Sequence, residues 1–490
     1  MKKPGIFAAV MAASLLAGVA GAHAAPVATV HPPLAAPAER QRLIVLTDIG
    51  GEPDDTESTV RLMLYSNEID IEGLVATTSV WMKTQTHPDV IRAVVSAYGA
   101  ARPHLVLHET GYPAEASLMS RIVVGQPGYG MDAVGPGKRS AGSDLIVKAL
   151  EARDPRPLWV TAWGGINTLA QALTTIRDTR TPDEARRLIA RLRVYAISDQ
   201  DDAGPWIRKT FPDLFYIVSV GPYGNAIWNG NMTVVDGIDN TAISNAWLAA
   251  NIQQGHGPLR AAYPDVGWGM EGDTPSFLGL IPNGLSVPDH PDFGGWGGRY
   301  VLQTPSVEGL GDTVTGGIPI RPESRPIWSN AVDTYTPPVA GDYGRALKPG
   351  DKSFSDFKAT LWRWRADYQN DFAARMRWAT TTFAEANHAP DVRLATPEHM
   401  TVHSGDYVAL SAEGTTDPDG DSLSYFWINY PEAGSFKTPV PIDQPENAAH
   451  AGFKAPVVTQ PETLHFILRV TDKGTPPISR YKRVIVTVMP

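Results

Sequence analysis

The chain reads as an α/β protein, with a mostly parallel sheet covered by helices on both faces, followed by a β-sandwich of immunoglobulin-like character. Three observations predict this. Short apolar runs alternate with helical patterns from Arg42 to about Leu280, the order that builds a parallel sheet. From about Ala389 the pattern changes to short alternating strands between turn residues. With 490 residues there is room for a large core and more than one domain.

The elements follow in order. Leu43–Leu46 is a buried strand, because the run is apolar without interruption. Thr56–Tyr65 is a helix behind an acidic loop, and Ile71–Thr77 is the second strand. Pro88–Tyr98 is a helix opened by its proline, whose missing N–H costs nothing in a first turn. Leu105–Leu107 reads as a short strand. Ser143–Glu151, Asn167–Ile176 and Pro182–Arg191 are helices; Leu158–Ala162, Arg193–Ile197 and Leu214–Val220 are strands. Residues 282–349 are rich in Gly, Pro and Trp without periodicity, and so long an irregular stretch usually carries function or packs over a site. Asp356 to about Ala386 returns to helix. Tyr407–Ser411, Ser424–Ile428, Leu464–Thr471 and Arg480–Val488 are strands of the sandwich. The expected limits are a signal peptide at 1–24, a linker at 25–40, the α/β domain at 41–388 and the sandwich at 389–490.

Lys2 and Lys3, the apolar run Ile6–Val19 and the small-residue site Ala22-His23-Ala24 make up a secretory signal. The mature protein is therefore expected in a periplasm or outside the cell, after cleavage near Ala24. A net charge of −10 argues against a nucleic-acid polymer or an anionic membrane as partner. No later apolar run is long enough to span a bilayer. Without cysteine there are no disulfides, so stability rests on core burial and on bound ions. The 13 tryptophans suit aromatic clefts and sugar faces, although core packing accounts for most of them.

The first strand empties into Thr47-Asp48-Ile49-Gly50-Gly51-Glu52-Pro53-Asp54-Asp55, a loop of two glycines, a proline and four carboxylates. Ligands of open α/β sheets bind outside the carboxyl ends of the strands. Carboxylates crowded there lose hydration and repel one another, so they need protons or a cation. A hard ion such as Ca²⁺, with 6–8 oxygen ligands at about 2.3–2.6 Å, suits them. The alternative is an acidic surface loop in which Asp54 or Asp55 caps the next helix. Three further motifs stand at element ends: Trp163-Gly164-Gly165-Ile166-Asn167, Ser198-Asp199-Gln200-Asp201-Asp202 and Glu271-Gly272-Asp273-Thr274. Taken alone, the first is equally an ordinary strand-to-helix turn, the second has a solvated turn as its alternative, and the third is better read as a plain N-cap at Asp273.

Taken together, these residues resemble the inosine–uridine-type nucleoside hydrolases. The matching features are Asp48, Gly50 and the pair Asp54-Asp55, the turn from Trp163 to Ala170, the loop from Gly128 to Gly135, and the late Asp273. The whole layout is most similar to bacterial nucleoside-hydrolase-like proteins that are labelled cellulose-binding and carry a C-terminal immunoglobulin-like domain. The resemblance implies Ca²⁺ held by Asp48, Asp55, Asp273 and the backbone carbonyl of Trp163. It implies a water on that ion as nucleophile, Asp48 as general base and Asp54 on a sugar hydroxyl. The implied reaction is hydrolysis of an N- or O-glycosidic bond of a furanosyl-type sugar, with a small molecule, an oligosaccharide or a polysaccharide as partner. The rival expectation is a carbohydrate-binding protein without catalysis.

Some positions depart from the pattern. The spacer Ile49–Pro53 is longer than the family's, Thr77–Trp81 stands where an asparagine belongs, and no histidine precedes Asp273. Asp199, Asp201, Asp202 and Glu271 take the substrate-binding positions by location only. Trp296 and His290 are candidates for a lid or an aromatic subsite.

Overall fold

In the computed structural model, strand β1 (Gln41–Thr47) is buried along nearly its whole length. Its alternate side chains feed two cores: Leu43 and Val45 enter one, Ile44 and Leu46 the other. Covering a strand on both faces in this way explains its unbroken apolar run. The structure describes residues 32–35, 37, 39–267, 269–314, 316–337 and 352–490. The expected signal peptide and the first part of the linker lie outside the described residues.

Seven further strands join β1: β2 (Ile69–Ala76), β3 (Ile122–Val124), β4 (Leu158–Ala162), β5 (Leu192–Ala196), β6 (Phe215–Val218), β7 (Tyr300–Gln303) and β8 (Ile327–Asn330). Their order is β3-β2-β1-β4-β5-β6-β8-β7, parallel except for the edge pair β7–β8. Helices α1 (Pro53–Leu64) and α2 (Pro88–His108) pack on one face. Helices α3 (Ala141–Glu151), α4 (Asn167–Thr179), α5 (Pro182–Ile189) and α6 (Ala203–Thr210) pack on the other. Helix α7 (Arg365–Trp378) returns to the α1 face. Successive strands run outward from β1 through β2 on one side and from β4 on the other. The β1/β4 boundary is therefore the topological switch point, where such sheets bind ligands.

Several expectations are corrected. Leu105–Leu107 is the end of α2, which runs on through Pro103. The proline forgoes one helix bond to Gly99, but apolar contacts of Ala101 and Leu105 hold the last turns. Helix α1 starts at Pro53, so Asp54 and Asp55 stand in its first turn, not in a loop before it. The third strand is Ile122–Val124, and the stretch expected to be irregular contains β7 and β8. The helical stretch from Asp356 is broken into Ala359–Trp362 and α7.

The C-terminal sandwich has a four-stranded sheet, β9-β14-β13-β11, and a pair, β10-β12. These are β9 (His399–His403), β10 (Tyr407–Leu410), β11 (Leu423–Asn429), β12 (Ala451–Lys454), β13 (Glu462–Asp472) and β14 (Ser479–Met489). It has its own core around Trp427, Phe453 and Phe466. Tyr430, Ile467 and Tyr481 instead belong to the core that contains β1, α1 and α7. Polar groups tie the same seam: Asp371 of α7 accepts from Tyr65 at 2.6 Å and from Arg480 at 2.5 Å.

Candidate active site

The chain leaves β1 at Thr47 and turns at once through Asp48, Ile49 and Gly50. Gly50 has φ +99°, and a Cβ there would lie 2.9 Å from the His87 ring, so only glycine fits. Pro53 then opens α1 and presents Asp54 and Asp55 in its first turn. Next to it, the chain leaves β4 through Trp163, Gly164 and Gly165. A Cβ on Gly164 would come within 2.6 Å of Asp48 Oδ1, and one on Gly165 within 2.5 Å of the Thr78 carbonyl. Gly164 thus makes the room that Asp48 occupies, and Gly165 lets the turn pack against Thr78 and Asp201.

Asp273 arrives from the far end of the domain. Trp163 Nε1 donates to Ser276 Oγ at 2.7 Å, and Ser276 Oγ donates to the Asp273 carbonyl at 2.7 Å. The turn before it is anchored by Glu271, which has φ +49° and forms a fully buried ion pair with Arg61. Tyr263 OH also donates to Glu271 Oε1 at 2.8 Å.

These segments enclose a cleft of about 310 Å³, counting its open mouth, lined by Asp48, Glu52, Asp54, Asp55 and Asp273. Trp81, Trp163, Gln200, Tyr223 and Trp228 complete its wall. Asp54, Asp55 and Asp273 each offer an oxygen, all within 4.8 Å of one another. Oxygens this close together can hold one metal ion between them. Asp48 lines the same cleft outside this tightest trio.

No Lys or Arg is among the lining residues, and the carboxyls shift accordingly. Burial, then the Asp54 charge, pushes Asp48 up to about 7, against a hydrogen bond from Ser79. Burial also raises Asp54, Asp55 and Asp273; neighbouring carboxylates add to the rise for Asp55 and Asp273. The donor set fits a hard divalent cation. Asp273 Oδ2 and Gln200 Oε1 are buried acceptors with no hydrogen-bond partner, the condition a cation relieves.

Trp163 lines the cleft, and its carbonyl accepts from the Gln200 side-chain amide. The remaining candidates are placed elsewhere. Asp199 forms a bidentate pair with Arg208 at 2.8 Å, and Asp202 accepts from the Met131 N–H at 2.8 Å. Asp201 accepts from the N–H groups of Asn167 and Ala203, each at 3.0 Å. Asp199, Asp201, Asp202 and Glu271 do not line the cleft; they brace the loops that do. Trp296 is fully buried beside Tyr368 and Tyr481, and His290 stacks on Phe293 away from the carboxylates. Neither forms the expected lid.

Sequence reasoning missed Gln200, Trp81, Tyr223 and Trp228. Trp81 Nε1 donates to Tyr223 OH at 2.9 Å, and the Tyr223 ring meets Trp228 edge-on at 5.4 Å. Trp228 Nε1 donates in turn to Asp54 Oδ2 at 2.8 Å. Trp81 remains 44% exposed, an unusual state for an indole, and forms the outer rim.

Residues 42–300 match the family model described as "Cellulose-binding Sde182, nucleoside hydrolase-like domain", and residues 407–488 match "Cellulose-binding protein Sde0182, C-terminal domain". A solved structure described as a nucleoside hydrolase-related hypothetical protein from Saccharophagus degradans, associated with carbohydrate metabolism, is 34% identical. The match covers 92% of this chain and 100% of that one, with a TM-score of 0.75. No curated protein matches the chain.

Proposed function

Because the chain belongs to the Sde182 nucleoside-hydrolase-like family, we propose that it is an exported, Ca²⁺-dependent hydrolase of glycosidic bonds. The substrate is a furanosyl-type glycoside with an N- or O-linked leaving group. The observation that carries this reading is the meeting of Asp54, Asp55 and Asp273 oxygens within 4.8 Å. Those three residues would hold the ion, which when bound would supply the positive charge that acidifies and orients a water.

Asp48 stands beside the trio and takes the proton of the attacking water as general base. As the water oxygen bonds to the anomeric carbon, the glycosidic bond breaks and its electron pair leaves with the N- or O-linked group, which takes a proton from solvent. The oxocarbenium character that builds in the sugar is stabilised by the surrounding carboxylates. The Trp81–Tyr223–Trp228 rim receives the leaving group. Trp81 and Tyr223 spend their polar groups on each other, so the rim offers mainly an apolar face. Export rests on Lys2, Lys3, the Ile6–Val19 run and the Ala22-His23-Ala24 site, and puts the substrate in the periplasm or beyond.

The test is a panel of nucleosides and aryl furanosides assayed with wild-type protein and Asp48→Asn, before and after chelation. Turnover should fall by about 10²–10⁴-fold in the variant, the usual contribution of a general base. A second reading, a carbohydrate-binding protein without catalysis, is favoured by the exposed Trp81 and by the cellulose-binding description of the family. It predicts no turnover on any member of the panel, with binding of cello-oligosaccharides that Trp81→Ala abolishes.

A further inference from the structure

We propose that Trp228 is a positioning residue for the carboxylate trio: its indole N–H fixes Asp54 in the orientation from which it shares a cation with Asp55 and Asp273. The proposal rests on reading the cleft as a divalent-cation site. The contact joins residues 174 positions apart, from Trp228 Nε1 to Asp54 Oδ2 at 2.8 Å.

The indole is held in a slot made for it. A Cβ on Gly272 would come 1.8 Å from Trp228 Nε1, and one on Gly269 would come 3.1 Å from the far edge of the ring. The Tyr223 ring closes another side at 5.4 Å and 61°. Gly272 sits between Glu271, with its left-handed backbone, and Asp273. One turn therefore presents Asp273 and also leaves the gap that admits the indole beside Asp54.

The neighbouring carboxylate repeats the arrangement. Thr47 Oγ1 donates to Asp55 Oδ1, and takes the Ile49 N–H at 3.1 Å in return. Asp54 and Asp55 each have an oxygen tied by a donor from outside α1. Tying one oxygen fixes the plane of the carboxylate and so the direction of the other.

Ca²⁺ titration calorimetry on the chelator-treated full chain tests this, using wild type, Trp228→Phe, Asp54→Asn and the double variant. Phenylalanine keeps an aromatic ring and deletes only the N–H side. Trp228→Phe should weaken Ca²⁺ binding about tenfold, the size of one hydrogen bond to a charged group. The same change should cost little in the Asp54→Asn background, because the effect acts through Asp54. A merely structural tryptophan would weaken binding equally in both backgrounds, and that result overturns the proposal, as does an unchanged Trp228→Phe. If Trp228→Phe does not fold, Gly272→Ala serves instead. Its methyl group displaces the indole, and an unaltered Ca²⁺ affinity again overturns the proposal. Absence of Ca²⁺ uptake by wild type overturns the cation reading itself, and is thereby distinct from uptake that ignores Trp228.

Discussion

His108 Nδ1 lies 2.9 Å from His388 Nε2, where the end of α2 meets the chain leading into the sandwich. His108 Nε2 faces the Thr381 carbonyl at 3.0 Å, and His388 Nδ1 faces Asp419 at 3.0 Å. Burial pushes His108 down to about 4, helped by neighbouring His388 and His104. Its neutral ring gives the Nε2 hydrogen to Thr381 and accepts from His388. Unfolded, the same group binds its proton near pH 6.5, so the unfolded state holds more protons between these values. The part of the stability that His108 supplies should therefore fall as pH drops from about 6.5 to 4, by up to about 3 kcal/mol, while the raised carboxyls of Asp48, Glu68 and Asp201 act in the opposite sense. Urea unfolding of wild type and of His108→Gln across this range checks it, since the difference between the two should carry the His108 slope.

Asp273 is buried with one oxygen unpartnered, and its carboxyl is raised by burial and then by Asp55, Asp54 and Asp48. Removing its charge relieves repulsion in the metal-free protein and removes a ligand from the loaded one. Asp273→Asn should accordingly melt higher than wild type after chelation, yet gain nothing from added Ca²⁺. Wild type should gain about 2.7 kcal/mol at a Ca²⁺ concentration of 100 times Kd. Thermal melts with and without Ca²⁺ give both signs.

How much of this was legible depends on distance along the chain. Asp48, Asp54 and Asp55 follow a strand whose apolar run announces itself, so their meeting was readable locally. Glu271 reads as a substrate-binding position because sequence shows its charge but not the Arg61 that neutralises it from 210 positions away. Gln200 was overlooked between three aspartates that turned out to hold backbone and Arg208. Trp228 sits in a one-turn helix with no periodic pattern, and only the gap at Gly272 explains its place. Strands β7 and β8 escaped because four-residue strands among Gly and Pro give no alternation.

Gly164 lies where β4 empties toward Asp48. An added methyl would stand 2.6 Å from Asp48 Oδ1 and 2.7 Å from its Cβ. Asp48 is the end of a short tether from β1 and cannot yield without moving the loop. Gly164→Ala should lower stability by about 1–3 kcal/mol, as overpacking does. It should also remove turnover on any substrate that Asp48→Asn affects. Crystal coordinates of the variant with Asp48 unmoved would contradict this.

The sandwich and the α/β domain should unfold in one step. Tyr430, Ile467 and Tyr481 complete a core that contains Leu43 and Phe372. At the same seam Asp333 is fully buried and accepts from Arg299 at 2.7 Å, Arg363 at 2.9 Å and Tyr430 at 2.6 Å. Separating the two parts would expose the apolar faces and leave Asp333 short of a partner while still holding two guanidinium groups. Neither part can melt first without disturbing the other, so differential scanning calorimetry of the full chain should show a single transition. Tyr430→Phe keeps the ring and deletes the hydroxyl, and should lower that one transition by about 1.5–3 kcal/mol, the usual contribution of a hydrogen bond to a charged group. Two transitions, with only one responding to Tyr430→Phe, would mean that the sandwich is a separable module and that its contacts with α7 contribute little.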